Sequence, residues 1–359
     1  MTKLKTEKAS ARPTMVDIAK LAGVSQATVS MVLNNTGGTR VTEKTRKLVR
    51  DAADRLGYRV WLRSPVGGGS LQAIGFVIDD STSNPIVNQA IDAARQLAWE
   101  NGAVLVVLPT QGDERLRAAA LELLFVHRVV GVIFAAHFTR EYALPQKMHA
   151  VPTVLINCFS KSDAAPAVLP AHAQGAETAV SHLIEKGHRR IGFINGESWM
   201  VASKDRLRGY KRALKHAGIP YDPALVKSGN WLLSGGETGT RALLELADRP
   251  TAIFCASDKM AIGCYEAAKE VGLVIPKDLS VVGFDDDPTA AHLDPPLTTV
   301  LVPHEDMGRR AVTHLYAKRS RTDRTQAITG RLQIECPLVE RGSVAGPRAT
   351  AGRRVRLVS

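Results

Sequence analysis

Gln26, Ala27, Ser30 and Met31 are spaced to lie on one side of a short helix whose apolar stripe is Val29, Val32 and Leu33. A glutamine amide can pair bidentately with the edge of adenine, while alanine and methionine offer apolar contact to thymine methyl groups. That chemistry requires the side chains to stand at the start of a helix that enters the major groove. The preceding residues are suited to holding such a helix. Val16, Ile18, Ala19 and Ala22 recur at helical spacing, Gly23 is placed to end that helix at positive φ, and Ser25 has the chemistry to cap the next. Thr14, with Asp17 three residues on, forms a variant capping box upstream. Thr42 is placed to cap a third helix over 43–56, with Val49, Ala52, Ala53 and Leu56 as its stripe and Gly57 as its stop. Residues 13–58 therefore read as three short helices around one small core.

The chain has 359 residues and a formal net charge of +12, unevenly placed. Residues 1–63 hold 13 Lys and Arg against 5 Asp and Glu, and residues 341–359 hold 5 Arg and no acid. Residues 64–340 hold 29 basic and 30 acidic side chains. A basic head on a near-neutral body suits binding to a phosphate backbone, whereas a generally basic enzyme would spread its charge. Arg40, Arg46, Arg59 and Arg63 are the candidate phosphate contacts. No run of about 18 apolar residues exists, so no transmembrane helix is expected. Lys3, Lys5 and Lys8 are not followed by an apolar stretch, which argues against a secretory signal. Cys158, Cys255, Cys264 and Cys336 are scattered and read as reduced, mostly buried thiols rather than a metal site or disulfide framework.

Residues 1–12 are polar and are expected to be disordered. Residues 59–70, with Pro65 and the Gly67-Gly68-Gly69 run, read as a linker. From 71 onward strands alternate with helices. Strands are expected at 73–78, 104–108, 129–135, 153–156, 190–194, 252–256 and 280–284. Helices are expected at 87–100, 114–127, 176–186, 205–217, 235–247 and 260–271. This alternation predicts two parallel-sheet subdomains in succession, with helices on both faces and a cleft between them. The effector-binding core implied is 71–344, followed by a basic tail over 345–359.

The helical head carries Asp17-Ile18-Ala19, Ala22-Gly23-Val24-Ser25, Thr28-Val29-Ser30 and Val32-Leu33-Asn34. In this it resembles the helix-turn-helix of the lactose-repressor (LacI) family of bacterial transcription regulators. Further markers of that family follow in its order: Asn84-Pro85, Gly187-His188-Arg189-Arg190-Ile191-Gly192-Phe193-Ile194, Arg206-Leu207-Arg208-Gly209-Tyr210, Ser257-Asp258-Lys259-Met260-Ala261-Ile262-Gly263, Val281-Val282-Gly283-Phe284-Asp285-Asp286, Pro296-Leu297-Thr298-Thr299-Val300 and Leu338-Val339-Glu340-Arg341-Gly342-Ser343. The resemblance covers residues 13 to about 344. It implies a small all-α helix-turn-helix head and an α/β core of two doubly wound parallel-sheet subdomains, similar to periplasmic sugar-binding proteins. The implied function is a sequence-specific regulator, a repressor controlled by a small-molecule effector. The implied partners are double-stranded DNA bearing a palindromic operator, an effector of the sugar or polar-metabolite class and a second copy of the chain; no membrane and no cofactor are implied. The implied place is the cytoplasm, with the nucleoid.

The resemblance assigns DNA contacts to Thr14, Ser25, Gln26, Ala27, Thr28, Ser30, Met31, Asn34, Arg40, Thr42, Thr45, Arg46, Tyr58, Arg59 and Arg63. It assigns effector contacts to Asn157, Arg206, Trp231, Ser257 and Asp285, with Asp79, Asp80 and Asn84 at the end of the first strand. Asp285 follows an apolar strand and so should emerge at a C-terminal strand end, where open α/β sheets bind ligands. Plainer roles compete at several positions. Asp258 can cap the following helix, Asp286 or Asp287 a turn, and Trp231 can be core filler. Trp99 and Trp199 read as packing. His172, His188, His292 and His304 lack metal-ligand spacing and read as surface or structural.

Two departures from the family pattern argue against an ordinary hexose. Ile86 and Val87 follow Asn84-Pro85 where many sugar-binding members have aromatic residues, and Ala171-His172 replaces Asp-Asn. Val60-Trp61 also replaces the Pro-Asn of the family's minor-groove hinge. Either Leu62 or Trp61 wedges instead, or the hinge leaves specificity to the head. No nucleophile elbow, P-loop or HExxH is present, so no catalytic residue is assigned. The tail lacks leucine heptads. A solute-binding protein without DNA function is the competing reading, opposed by the basic head.

Overall fold

The computed structural model describes residues 14–33, 41–56, 72–79, 85–127, 129–145, 148, 151–162, 164–319 and 325–348. The sites assigned to Asn34, Arg40, Tyr58, Arg59, Arg63, Asp80 and Asn84 lie outside them, as do 1–12, the linker at 59–70 and most of the tail. The chain divides into two compact units, 1–71 and 72–359.

The first unit contains α1 (Met15–Ala22), α2 (Gln26–Leu33) and α3 (Glu43–Arg55). Thr14 and Asp17 close the capping box, and Gly23 takes φ 65° at the end of α1. The chain bends by 105° between α1 and α2, within the range of helix-turn-helix pairs. Thr28 N donates to Ser25 Oγ at 3.1 Å and Thr45 N to Thr42 Oγ1 at 3.3 Å, so both expected caps are in place. Ile18, Ala19, Val29, Val32, Val49, Ala52 and Ala53 form the core. Val16 is 43% exposed and does not join it; Met15 packs there instead, because Met15, Ile18, Ala19 and Ala22 are the residues that share one helical face.

The second unit has two lobes. The first is built on a sheet ordered β11-β5-β4-β3-β1-β2, from β1 (Gln72–Ile78), β2 (Ala103–Pro109), β3 (Val132–Glu141), β4 (Thr153–Phe159), β5 (Ala167–Pro170) and β11 (Arg331–Ile334). The second has a sheet ordered β7-β6-β8-β9, from β6 (Ile191–Asn195), β7 (Val226–Ser228), β8 (Ala252–Cys255) and β9 (Ser280–Val282). All strands of these two sheets pair in parallel. Their central strands are near-continuous apolar runs, as expected of sheets covered on both faces, while the edge strands β7 and β11 carry polar residues. The helices α4 (Pro85–Glu100) and α5 (Glu114–Val126) belong to the first lobe, and α6 (His172–Glu185), α7 (Val201–His216), α8 (Leu233–Leu244) and α9 (Asp258–Glu270) to the second. All four cysteines are buried and unbridged.

The lobes are not successive in sequence. After β10 (Thr299–Val300) the chain returns to the first lobe as α10 (His304–Arg319), which packs on α4, and as β11, which pairs with β5. It then crosses back as β12 (Leu338–Val339), antiparallel to β10. None of α10, β10, β11 and β12 was expected from periodicity. The strands β10 and β12 have two residues each, too few to show a period, and α10 mixes buried and polar positions. The tail also begins later than expected. Ala345 N donates to Ser280 Oγ at 3.0 Å, and Arg348 pairs with Asp278 at 2.5 Å.

Candidate functional site

In the head, Gln26 and Ala27 are exposed, Met31 is 36% exposed and Ser30 and Thr28 are partly buried. The hydroxyls of Ser25 and Thr28 lie 2.9 Å apart, as do those of Thr42 and Thr45. Each pair is anchored on a helix N-terminus, which fixes where the hydroxyls stand. Thr14 donates to the Asp17 carboxylate at 2.7 Å, holding that carboxyl below its usual range. Arg46 lies partly buried on α3. This leaves Gln26, Ala27 and Met31 as the exposed side chains along α2.

In the second unit a cavity of about 310 Å³ is lined by residues of both lobes, the lower end of the range of small-molecule sites. Asn157, Arg206, Trp231, Ser257 and Asp285 all line it. Three of these hold positive φ, at 55° for Asn157, 64° for Trp231 and 114° for Asp285. Such strain in non-glycine residues is concentrated at functional sites. Asp285 follows the end of β9, as a ligand-facing residue at a strand terminus should.

Arg206 is the centre of this arrangement. The guanidinium is 3% exposed as a residue and lies 3.7 Å from the Phe284 ring centroid and 5.2 Å from that of Trp231. Nη1 donates to Ala256 O. Nη2 donates to Asp285 Oδ1 and to His172 Nδ1, each at 3.3 Å. The position depends on close helix packing: a Cβ at Gly209 of α7 would stand 2.1 Å from the Ala173 carbonyl of α6, so only glycine allows this approach. Burial pushes the Asp285 carboxyl up to about 6, with Arg206 opposing it.

His172 extends the network into the other lobe. Nδ1 accepts from an arginine, so Nε2 carries the proton of the neutral ring. Nε2 lies 3.0 Å from Thr139 Oγ1, and Thr139 in turn donates to Asn157 Oδ1 at 2.5 Å. The Asn157 amide nitrogen donates to the carbonyls of Ala136 and His137. Burial, and then Arg206, push His172 well below the usual histidine range, in agreement with the neutral ring. A directed chain of hydrogen bonds thus runs from Arg206 through His172 to Asn157.

Other expectations require correction. Asp79 does not line the cavity. Its carboxylate accepts from Thr110 and Arg117 at 2.9 Å and from Arg140 at 3.0 Å, so it is turned inward to two cations. Ser257, rather than Asp258, caps α9 through Met260 N. Asp258 is buried, accepts from Thr299 and from Asp287 N, and is held well above its usual range by burial and by the Asp285 charge. Asp287 caps the turn at Pro288–His292, while Asp286 pairs with Arg341 at 2.7 Å. Trp99 and Trp199 are 59% and 64% exposed, so neither is packing. Trp231 is not core filler; its ring lines the cavity and its Nε1 donates to Met200 Sδ at 2.9 Å.

The cavity also contains His137, Phe138, Thr139, His172, Met200, Lys259 and His304, which the sequence reading missed. His188 is structural as expected, bound to Thr251, Ser280 and Ala345, and His292 is exposed. His172 and His304 are neither surface nor merely structural; they are 5% and 7% exposed and face the cavity. The replacement of Asp-Asn by Ala171-His172 was the available signal for the first. For His137 to Thr139 there was none. The β3–β4 register shifts between Ala135 and Arg140, and such an irregularity re-aims side chains beyond the reach of a period-two reading.

The signature of bacterial regulatory proteins of the lacI family matches residues 14–60, and that of the periplasmic binding protein-like domain matches 180–344. The ribose operon repressor of Escherichia coli (strain K12) is 33% identical over 92% of this chain and 99% of its own. The chain belongs to the LacI family. The transcriptional repressor PurR of Vibrio atlanticus (strain LGP32) is 31% identical over 92% of this chain and 98% of its own. Among solved structures, the transcriptional regulator CelR in complex with cellobiose covers 92% of this chain and all of its own, at TM-score 0.61 and 28% identity. The lac repressor dimer bound to operator and an anti-inducer covers 93% of this chain and all of its own, at TM-score 0.67 and 27% identity. This LacI-family chain is accordingly a DNA-binding transcription regulator with an effector-binding core. No single helix among its described residues is long and apolar enough to cross a membrane.

Proposed function

We propose that this regulator represses transcription as a dimer in the cytoplasm, at the nucleoid, and that a small polar metabolite in the 310 Å³ cavity sets its operator affinity. The observation that carries the effector reading is the Arg206–Asp285–Trp231 group. A buried cation, a partly ionised acid and an indole face converge there on one space. Hydroxyl groups of a ligand bond to Asp285, the ring of Trp231 covers an apolar face, and Arg206 fixes Asp285. The similarity to a ribose operon repressor supports a ligand of the class of sugars and related polar metabolites. Closure of the two lobes on that ligand is a rigid-body change able to couple the cavity to the head.

In the head, Gln26 reads one base pair per half-site of a palindrome, Ala27 and Met31 meet thymine methyls, and Ser25, Thr28, Ser30, Thr42, Thr45, Arg46 and Thr14 position α2 on the backbone. Selection of operator sequences from a random pool tests this. Gln26→Ala is expected to lose about 1–3 kcal/mol at one position of each half-site, and an unchanged preference at every position rejects the assignment. Operator affinity is also expected to fall steeply with added salt, as phosphate contacts by basic side chains require.

A further inference from the structure

His304 is the least explained side chain of the cavity. Its ring is 7% exposed, lines the cavity, and makes no hydrogen bond to any other described residue. Its ring nitrogens are open to the cavity and free to bond a group placed there. The position is set by α10, of which His304 is the first residue. The ring therefore reaches the cavity from the first lobe, opposite the Asp285 floor supplied by the second.

The charges around it are lopsided. His137 on β3, His172 on α6 and Arg206 on α7 line the same cavity, and His137 and Arg206 oppose a positive charge on His304, while His172 is neutral. The acids of the cavity stand on the other wall. Asp285 is bound to Arg206, Asp258 to Thr299 and Asp287 N, and Asp287 caps a turn. Lys259 of α9 lies exposed among the lining residues. Glu305 and Asp306, next to His304 on α10, are exposed and do not line the cavity. The acids among the described lining residues are thus all on the second lobe, while His137 and His304 stand on the first.

We propose that the effector is a polyhydroxylated anion, its hydroxyls at Asp285 and its carboxylate or phosphate monoester at His304 beside His137, and that it binds with uptake of a proton. This rests on the effector reading above and narrows it to a ligand class. The anion supplies an acceptor for the imidazole and offsets the opposition of Arg206 and His137 to a positive charge there. In the absence of ligand, burial and those neighbours hold His304 down to about 4. At neutral pH the ring is then neutral, and a bound anion makes protonation favourable.

Calorimetric titration of the full chain tests the proposal. The probes are gluconate, glucuronate and ribonate, their neutral counterparts glucose and ribose, and glucose 6-phosphate and ribose 5-phosphate. Each is titrated at pH 6 and pH 7.5 in two buffers of different ionisation enthalpy. At least one anionic probe is expected to bind tenfold or more tightly than its neutral counterpart, more tightly at pH 6, and with net proton uptake. The carboxylate and phosphate arms decide which anion it is. His304→Leu is expected to bring the anion down to the affinity of the neutral sugar and to remove the proton uptake; His304→Gln, which keeps a donor, is expected to retain part of the affinity but none of the uptake. Melting curves exclude misfolding of either variant. If no anion outbinds its neutral counterpart, or if both variants leave affinity and uptake unchanged, the inference is overturned, and a neutral ligand that shifts operator affinity leaves the effector reading intact. If no small molecule changes operator affinity, the effector reading falls and this inference falls with it.

Discussion

The two walls of the cavity are built on different principles. On the second lobe, Trp231, Ser257 and Asp285 stand beside helix starts or strand ends and Arg206 on the second turn of α7, and all four line the cavity. On the first lobe the acid at the corresponding strand end, Asp79, is turned inward to Arg117 and Arg140. The groups that face the ligand there come from an irregular stretch of β3 and from the start of α10, a helix that arrives from near the other end of the chain. A strand end thus places a side chain near a cleft, but neighbouring charges decide whether it points in or out.

This contrast can be tested by substitution. Arg206→Met is expected to have the largest effect. It leaves Asp285, whose side chain is 25% exposed, without its cation, and is expected to cost less than breaking a fully buried pair, which costs about 3–5 kcal/mol. Denaturant unfolding should show that loss together with loss of effector response; a variant of native stability that still responds would remove Arg206 from its central place.

The second test uses pH, because the two walls titrate with opposite sign. His304 is pushed down to about 4, against about 6.5 in an unfolded chain. Between those values the unfolded chain binds more protons, so stability falls as pH falls. Asp285 is pushed up to about 6, against about 3.9 when unfolded; there the folded chain binds the extra proton, so stability falls as pH rises. Each amounts to about 3 kcal/mol when complete. Melting between pH 6.5 and 4 should therefore show a shallower acid loss for His304→Leu than for the unaltered chain, and a steeper one for Asp285→Asn. The same slope in both variants would contradict the division between the walls.

Asp79→Asn is expected to cost about 1.5–3 kcal/mol of stability, the value of hydrogen bonds to charged groups, with ligand affinity unchanged. A selective loss of affinity would return Asp79 to the cavity. Thr139→Val cuts the chain of hydrogen bonds between Asn157 and His172 and is expected to cost about 1–2 kcal/mol. It should also weaken ligand binding, since the His172 ring is no longer oriented. Trp199→Ala is the smallest: its ring is 64% exposed and meets Phe138 edge-on at 6.1 Å, so stability is expected to move by less than about 0.5 kcal/mol.

The head was the most legible part of the chain. Thr14, Gly23, Ser25 and Thr42 carry short-range signals, and each cap or stop occurs as expected; only Val16 points the wrong way. Most of the alternating strands and helices of 72–284 were also readable, although the short β5 and β7 were not expected and β3 runs on past the expected 135 to Glu141. What could not be read depends on distance in sequence. The two-residue strands β10 and β12 exist because they pair with each other, and α10 and β11 complete a lobe begun more than 200 residues earlier. Nothing local marks His304 as a cavity residue. At the site, Arg206 and Asp285 were legible through the family motifs that contain them, and Asp285 also through its place after an apolar strand, whereas the two arginines that capture Asp79 lie on separate elements.

Among the described residues the chain passes between the lobes at three places: between β5 and α6, between β10 and α10, and between β11 and β12. A single tether would let one lobe swivel in any direction. Three connections side by side remove most of those motions and leave rotation about the line that joins them as the soft coordinate. Pro170 and His172 flank the first crossing and Val302 and His304 the second, and all four line the cavity. A ligand seated there presses close to the axle, where the lever arm is short. A displacement of a fraction of an ångström at that radius is multiplied at the far ends of the lobes in proportion to their distance from the axis.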